Sequence, residues 1–442
     1  MQHTTESLTP STLARRGWWA VGIFALAAVL SYTDRQILAL LVDPIRADMH
    51  ISDAALGVLQ GAAFAVLYSC IGLPLGRIAD VVPRRALLLF AVVAWSLGTV
   101  ACGFSHSFWE LFAARVLVGI GEAALAPAAM SLIADYFPPD RRALPTGVFF
   151  TGMVVGGGAA FAIGGFLFSA AQHAAFAAIP GLSTLAPWRT VLVVLGLSGI
   201  AVAALLSTLH EPNSRSGSWQ TLGTRLTALR DIPDMFRGRI ALLAPLYAAM
   251  GIGSIVDYAV LSWMPALLSR RFAMPPADIG VTLGGAAVAA GLIGTLLGGI
   301  LADKIAARFG LLARIRLCGA IMLAGLVVAP IGILGSSTLT VAATFFWLFL
   351  SSTAGTIGVA TTLDLLPQTS RGLGTSTIAF CNTIIGLGLG PTLVARATER
   401  AYGGPEQIGL GMSTVAAPAI AASSALFFVA AGAERRNKPA FA

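Results

Sequence analysis

Charge is scarce in this chain. Only 11% of its 442 residues are Asp, Glu, Lys or Arg, against about 25% in a soluble domain. A water-soluble globule of this length needs a charged surface, so a soluble fold is excluded. Cysteine is scarce as well. Cys70, Cys102, Cys318 and Cys381 all fall in apolar stretches at unrelated spacings, so free, buried thiols are expected, with no disulfide and no metal site. The chain has no Gly-Lys-Ser/Thr phosphate loop and hence no visible ATP-driven engine. It also lacks a nucleophile–base arrangement, so it does not read as an enzyme, and no cofactor is expected.

Apolar residues are abundant, at 57% of the chain, and the mean hydropathy is +0.83. Twelve apolar runs are long enough to cross a bilayer as helices: 18–42, 54–79, 86–104, 108–133, 145–170, 188–209, 239–268, 277–301, 312–334, 338–361, 372–395 and 409–432. A β-barrel would instead show short alternating segments. The expected fold class is therefore an all-α membrane protein of twelve transmembrane helices. The first run is not a cleaved leader, because it is too long and carries Asp34 and Arg35.

The net charge of +8 does not point to nucleic acid, because its distribution explains it. Most basic residues fall on alternate loops that share one side with the ends, among them Arg15, Arg16, Arg84, Arg85, Arg141, Arg142, Arg225, Arg230, Arg435 and Arg436. The other side holds Arg46, Arg189, Arg270, Arg271, Arg396 and Arg400. The positive-inside rule then puts both termini in the cytoplasm. A composition rich in Ala, Gly and Arg suggests a bacterial gene, hence an inner (plasma) membrane location.

The two halves repeat. "GRIADVVPRR" (76–85) matches "GILADKIAAR" (299–308), a shift of 223 from Gly76 to Gly299. "SYTDR" (31–35) faces "SIVDY" (254–258) at the same shift, pairing Asp34 with Asp257. "ADYFPPDRRALPTG" (134–147) matches "LDLLPQTSRGLGTS" (363–376) at a shift of 229, pairing Asp135 with Asp364 and Arg142 with Arg371. A duplication of six spans implies two six-helix bundles around a central cavity. The expected organisation is a tail (1–16), an N-terminal bundle (17–209), a cytoplasmic linker (210–238), a C-terminal bundle (239–433) and a tail (434–442).

Gly-x-x-x-Asp-x-x-x-Arg-Arg at 76–85, between the second and third of twelve spans, resembles the major facilitator superfamily over residues 15–434. "YTDR" (32–35) and "RVLVGIGEAALAPAAMSLIADYFP" (115–138) resemble its spinster-like family. By resemblance Gly76, Asp80, Arg84 and Arg85 belong to a cytoplasmic gate, Asp303 to its weaker copy, and Asp135 and Arg142 to a switch loop beside it.

Ionisable groups inside spans are costly and point to function. Arg115 and Glu122 lie two helical turns apart on one face. Asp34, Arg35, Arg115 and Glu122 are expected to form one neutral network facing the cavity. Desolvation favours the protonated acid and arginine the anion, so a change of access tips the balance. In this scheme Asp34 and Glu122 carry protons. Arg35 or Arg115 holds an anionic substrate group, with Tyr32 as a further contact. The rival is a static ion-pair lock. Asp257 has no basic neighbour in its own span and is either a second proton site or a neutral hydrogen-bonded acid. Asn382, in the eleventh span, either lines the cavity or serves helix packing.

The reading is a secondary active transporter working by alternating access, coupled to protons and monomeric, with membrane lipids around it. The spinster-like resemblance implies amphiphilic or anionic lipid-like substrates, of the sphingolipid or lysophospholipid class. A small organic anion or sugar-acid transporter, and a non-transporting sensor, stay open.

Overall fold

The computed structural model describes residues 10–78, 82–138, 141–176, 178–212, 237, 239–367 and 370–436. Among these residues, twelve helices are long and apolar enough to cross a membrane. They are α1 Leu13–Leu40, α2 Asp53–Gly72, α3 Arg84–Phe104, α4 Phe108–Tyr136, α5 Ala143–Gln172, α6 Pro187–Ser207, α7 Ile240–Phe272, α8 Pro276–Phe309, α9 Leu311–Ile333, α10 Ser337–Leu365, α11 Leu373–Tyr402 and α12 Pro405–Ala433. Each overlaps one of the twelve runs read from the sequence. Among the described residues there is no strand. Helices alone satisfy their backbone groups locally, which hydrocarbon demands. Most of the linker, and any surface helix in it, lies outside the described residues.

Several helices break at positions chemistry explains. α4 is helical over Phe108–Glu122 and again over Leu125–Tyr136. The interruption falls where Pro127 would clash with the Ala123 carbonyl, four residues back. Glu122 thereby ends the first segment. α11 carries a π-helical turn, Asn382–Leu387, just before Pro391. Proline has no N–H for its turn, and the wider turn absorbs the mismatch. Such turns cluster at functional sites, and this one begins at a residue of the cavity wall.

Glycine lets helices meet backbone to backbone. On α5, a Cβ at Gly152 would lie 2.6 Å from the Ala25 carbonyl oxygen of α1, and one at Gly156 would lie 2.6 Å from that of Val29. Across the two halves, α5 meets α8, where a Cβ at Gly158 would lie 2.6 Å from the Gly284 oxygen. Four tryptophans, Trp95, Trp188, Trp263 and Trp347, fill the interior. All four cysteines are free, but the expectation of uniform burial fails: Cys70 is exposed and Cys381 half-buried. An apolar run marks length of span, whereas the face of the helix decides exposure.

Filling the α1–α5 notch should destabilise the fold. Gly156→Leu overpacks a backbone contact and is expected to cost ~1–3 kcal/mol or more, read as a lower midpoint in thermal unfolding of the purified protein. An unchanged midpoint would show that α1 and α5 separate freely there.

Candidate functional site

The centre of the N-terminal half holds an ion pair cut off from solvent. Arg35 Nη2 donates to Glu122 Oε2 at 2.9 Å, with the two side chains 3% and 0% exposed. Three rings surround the guanidinium, those of Tyr32, Phe64 and Tyr68, at 4.5, 4.5 and 4.7 Å from their centroids. Their electron-rich faces stabilise a cation that water does not reach. The break in α4 places Glu122 at this depth. α1 supplies Tyr32 and Arg35, and α2 supplies the other two rings.

Asp34 and Arg115 lie close by but are not salt-bridged to each other. Arg115 Nη1 donates to the main-chain carbonyl of Asp34 at 3.2 Å. It also sits 5.5 Å from the centroid of the Phe64 ring. The Asp34 carboxylate is buried, and neither oxygen makes a hydrogen bond of good geometry. Thr99 is near, but its hydroxyl donates to the Trp95 carbonyl at 3.1 Å. So the expected four-charge network is one ion pair, with an acid and a base beside it.

The central cavity, about 340 Å³, lies between the halves. Tyr32, Asp257 and Asn382 are in its wall. Asp34, Arg35, Arg115 and Glu122 are not, which corrects the expectation that the charges face the cavity. Arg35 turns into its own half toward Glu122 and the aromatic rings, and Tyr32 stands between it and the void. The wall is otherwise mostly apolar, with Met153, Met250, Met322 and Phe427 prominent. Asp257 accepts from Trp347 Nε1 at 2.9 Å and from Ser351 Oγ at 2.8 Å. Sequence reasoning missed both donors, although Ser351 stands at Glu122 shifted by the repeat distance of 229.

The ends of the bundles carry two kinds of charge contact. At the end near the termini, Arg84 pairs with Asp135 at 2.5 Å and with Glu211 at 2.8 Å. Arg85 donates to the Ser207 carbonyl. Arg142 caps the end of α4 through the carbonyls of Phe137 and Ala134, at 2.9 and 2.6 Å. The C-terminal half repeats the lock: Arg314 pairs with Asp364 at 2.5 Å and reaches Asp303 at 3.9 Å. These pairs stay within one half. Glu211 and Arg314 were not foreseen. Gly76 lies in the helix Ala62–Ile78, and Asp80 lies outside the described residues.

At the other end, Arg270 of α7 crosses between halves. It meets Asp43 at 2.7 Å and Asp53 at 2.6 Å, and donates to the Pro405 carbonyl at 2.7 Å. Beside it the Ala54 N–H of α2 donates to Glu399 of α11 at 2.9 Å. None of these latch residues was singled out in the sequence, because each sits at a helix end where charge is ordinary.

A family model, Major Facilitator Superfamily, matches residues 24–391. The chain belongs to that superfamily. By family and fold it is an integral membrane protein. The MFS-type efflux pump of Mycolicibacterium smegmatis is 30% identical over 299 residues, 66% of this chain and 64% of the relative. Protein spinster of Drosophila melanogaster is 27% identical over 308 residues, 68% of this chain and 48% of the relative. The gallate transporter of Pseudomonas putida is 28% identical over 325 residues, 66% of each. The chain thus spans about half to two thirds of the length of these relatives. A bacterial homolog of the human lysosomal transporter spinster, solved inward-facing and unoccupied, superposes with a TM-score of 0.80 at 24% identity. The match covers 96% of this chain and 98% of that one. The spinster-like resemblance read from the sequence agrees with these likenesses.

The buried pair should behave as a unit. Removing one partner strands a charge and costs about 3–5 kcal/mol, whereas removing both is far milder. Glu122→Gln and Arg35→Met should each lower the thermal midpoint strongly, and the double variant should recover most of the loss. Additive losses in that four-protein comparison would show that the two groups act independently.

Proposed function

We propose that this transporter moves an amphiphilic, lipid-like molecule by alternating access, driven by protons. One observation carries the reading: a mostly apolar cavity between the halves, with a buried ionisable cluster directly behind its wall. An apolar tail finds Met, Ala and Phe surfaces there, and burying it supplies ~25 cal/mol per Å². The likeness to protein spinster favours a lipid-like cargo. The likeness to a gallate transporter keeps a small organic anion as the rival cargo. Against that rival, both arginines of the cluster lie behind the wall and not in it.

The coupling step follows from charge balance. The Arg35–Glu122 pair is neutral as it stands. Protonating Glu122 would leave Arg35 unpaired in the aromatic cage, so uptake of a proton there must be linked to a move of Arg35 toward the cavity or a substrate. Asp34, which has no ion pair to lose, accepts a proton at little structural cost. Opening the far end requires Arg270 to leave Asp43 and Asp53. In this conformation the halves are latched at that end, and the reverse state would need the Arg84 and Arg314 locks to rearrange. We place the termini on the cytoplasmic side and the protein in a bacterial inner membrane as a monomer.

Reconstituted into liposomes, the protein should move a labelled lysophospholipid faster under an imposed pH gradient. Asp34→Asn should abolish the gradient dependence while the protein still folds. Gradient-driven flux of gallate with none of the lipid would transfer the assignment to the rival. Lipid flux indifferent to pH and to the substitution would return the charges to a packing role.

The latch gives a separate test. In a background free of native cysteines, a cysteine placed at Ser352 in the cavity wall should react slowly with a membrane-impermeant maleimide added on the latch side. Arg270→Ala should speed that labelling several-fold, and unchanged labelling would remove the latch from the gating scheme.

A further inference from the structure

The two halves are copies, and comparing them residue by residue shows what the cavity has been left with. In the N-terminal half the cluster is Asp34, Arg35, Arg115 and Glu122. At the shifts of 223 and 229 their counterparts are Asp257, Tyr258, Thr344 and Ser351. Both arginines and the glutamate are replaced by neutral residues, and the aspartate remains. Its oxygens accept from two neutral donors, Trp347 and Ser351. Among the described residues, Asp257 is also the one Asp, Glu, Lys, Arg or His in the cavity wall.

The other polar atoms of the wall point the same way. Asn382 is half-buried, and its side-chain oxygen has no hydrogen-bond partner. It belongs to the π-helical turn of α11, opposite α7. The Ser254 hydroxyl donates to carbonyls, at 2.8 Å to Gly251 and 3.3 Å to Asn382. Ser423 likewise donates to the Ala249 carbonyl at 2.7 Å. These two donors are spent on the backbone, so the charged group the wall offers is the Asp257 carboxylate, with the Asn382 amide and the neutral polar groups of Tyr32, Gln36, Tyr258 and Ser352 as its other polar surface. An ammonium group has three donors and no acceptor. A carboxylate, or a phosphate with no amine beside it, would meet repulsion from Asp257. Arg35 is neutralised by Glu122 and lies against the ring of Tyr32, outside the wall.

We infer that the substrate is an amphiphile whose head is a protonated amine, seated on the Asp257 carboxylate with Asn382 Oδ1 as a second acceptor. This rests on the reading of the cavity as the substrate site. The tail lies against Met153, Met250, Met322 and Phe427. The rings of Tyr32 and Tyr258, both in the cavity wall, add cation–π surface. Arg35 and Asp257 thereby divide the labour of the repeat: the N-terminal copy keeps a closed ion pair, and the C-terminal copy keeps an open acid.

The test uses the full-length protein in lipid nanodiscs and three probes with the same tail: octylamine, octanol and octanoate. Binding is corrected for partition into empty nanodiscs. Octylamine should bind at least tenfold more tightly than octanol, and octanoate more weakly than both. Asp257→Asn should remove most of the amine preference and leave octanol unchanged. Asn382→Leu should reduce it by a smaller factor. Equal binding of the three probes to the native protein, a preference for octanoate, or an amine preference that survives Asp257→Asn would each overturn the inference, and the first two need no variant to fold. Flux separates this inference from the broader reading. Loss of head-group selectivity with gradient-driven lipid flux intact removes only the amine. Amine selectivity without flux of any probe removes only the transport reading.

Discussion

A guanidinium and a carboxylate held out of water at the centre of a six-helix bundle dominate the energetics of this protein. Separately, each would cost several kcal/mol to bury. Together at 2.9 Å, and ringed by three aromatic faces, they form a neutral unit that the interior tolerates. Much of the N-terminal half is arranged to deliver it. The break before Pro127 ends a helical segment at Glu122. The Gly152 and Gly156 notches bring α5 against the helix that carries Arg35. Phe64 and Tyr68 come from α2, so three helices close around one pair.

Charge is also placed at the two ends, with a different geometry at each. Near the termini the pairs join helices of the same half, Arg84 to Asp135 and Arg314 to Asp364. At the far end Arg270 joins one half to the other through Asp43 and Asp53. The first kind stiffens a bundle, and the second holds two bundles together. Only the second resists a rocking motion directly, so its removal and re-formation would be expected to accompany any change of access.

The fold was largely legible in the sequence because the bilayer is a severe constraint. Twelve runs of apolar residues had few alternatives, and a repeat at fixed shifts named the two bundles. The site was legible in part. Asp34, Arg35, Arg115 and Glu122 announced themselves as charges within apolar runs, and they do gather. Which way each side chain turns was not legible, since one helical face can look into a cavity or into its own bundle. Arg35 took the second course, drawn by Glu122 and by three rings 4.5–4.7 Å away in space but spread from Tyr32 to Tyr68 in sequence. Trp347 and Ser351 escaped notice for a related reason. A tryptophan and a serine in a membrane helix look ordinary until a carboxylate is found between them. Glu211, Arg270 and Arg314 lie at helix ends, where a charge carries no signal by itself.

The repeat gives these local facts a common logic. Duplication starts with two equal clusters, and two closed ion pairs would leave a cavity without any exposed charge to recognise a head group. Two open clusters would leave several charges near hydrocarbon at prohibitive cost. Keeping the pair on one side and a single acid on the other avoids both. The acid can remain because Trp347 and Ser351 support its anion without neutralising it, as a lysine or arginine would. The stiff, closed half can then hold its charge through a conformational cycle, while the half with the π-helical turn at Asn382 offers its polar atoms to the void. Asymmetry between the halves is thus what a cavity of this kind requires if one site is to stay intact while another changes occupancy.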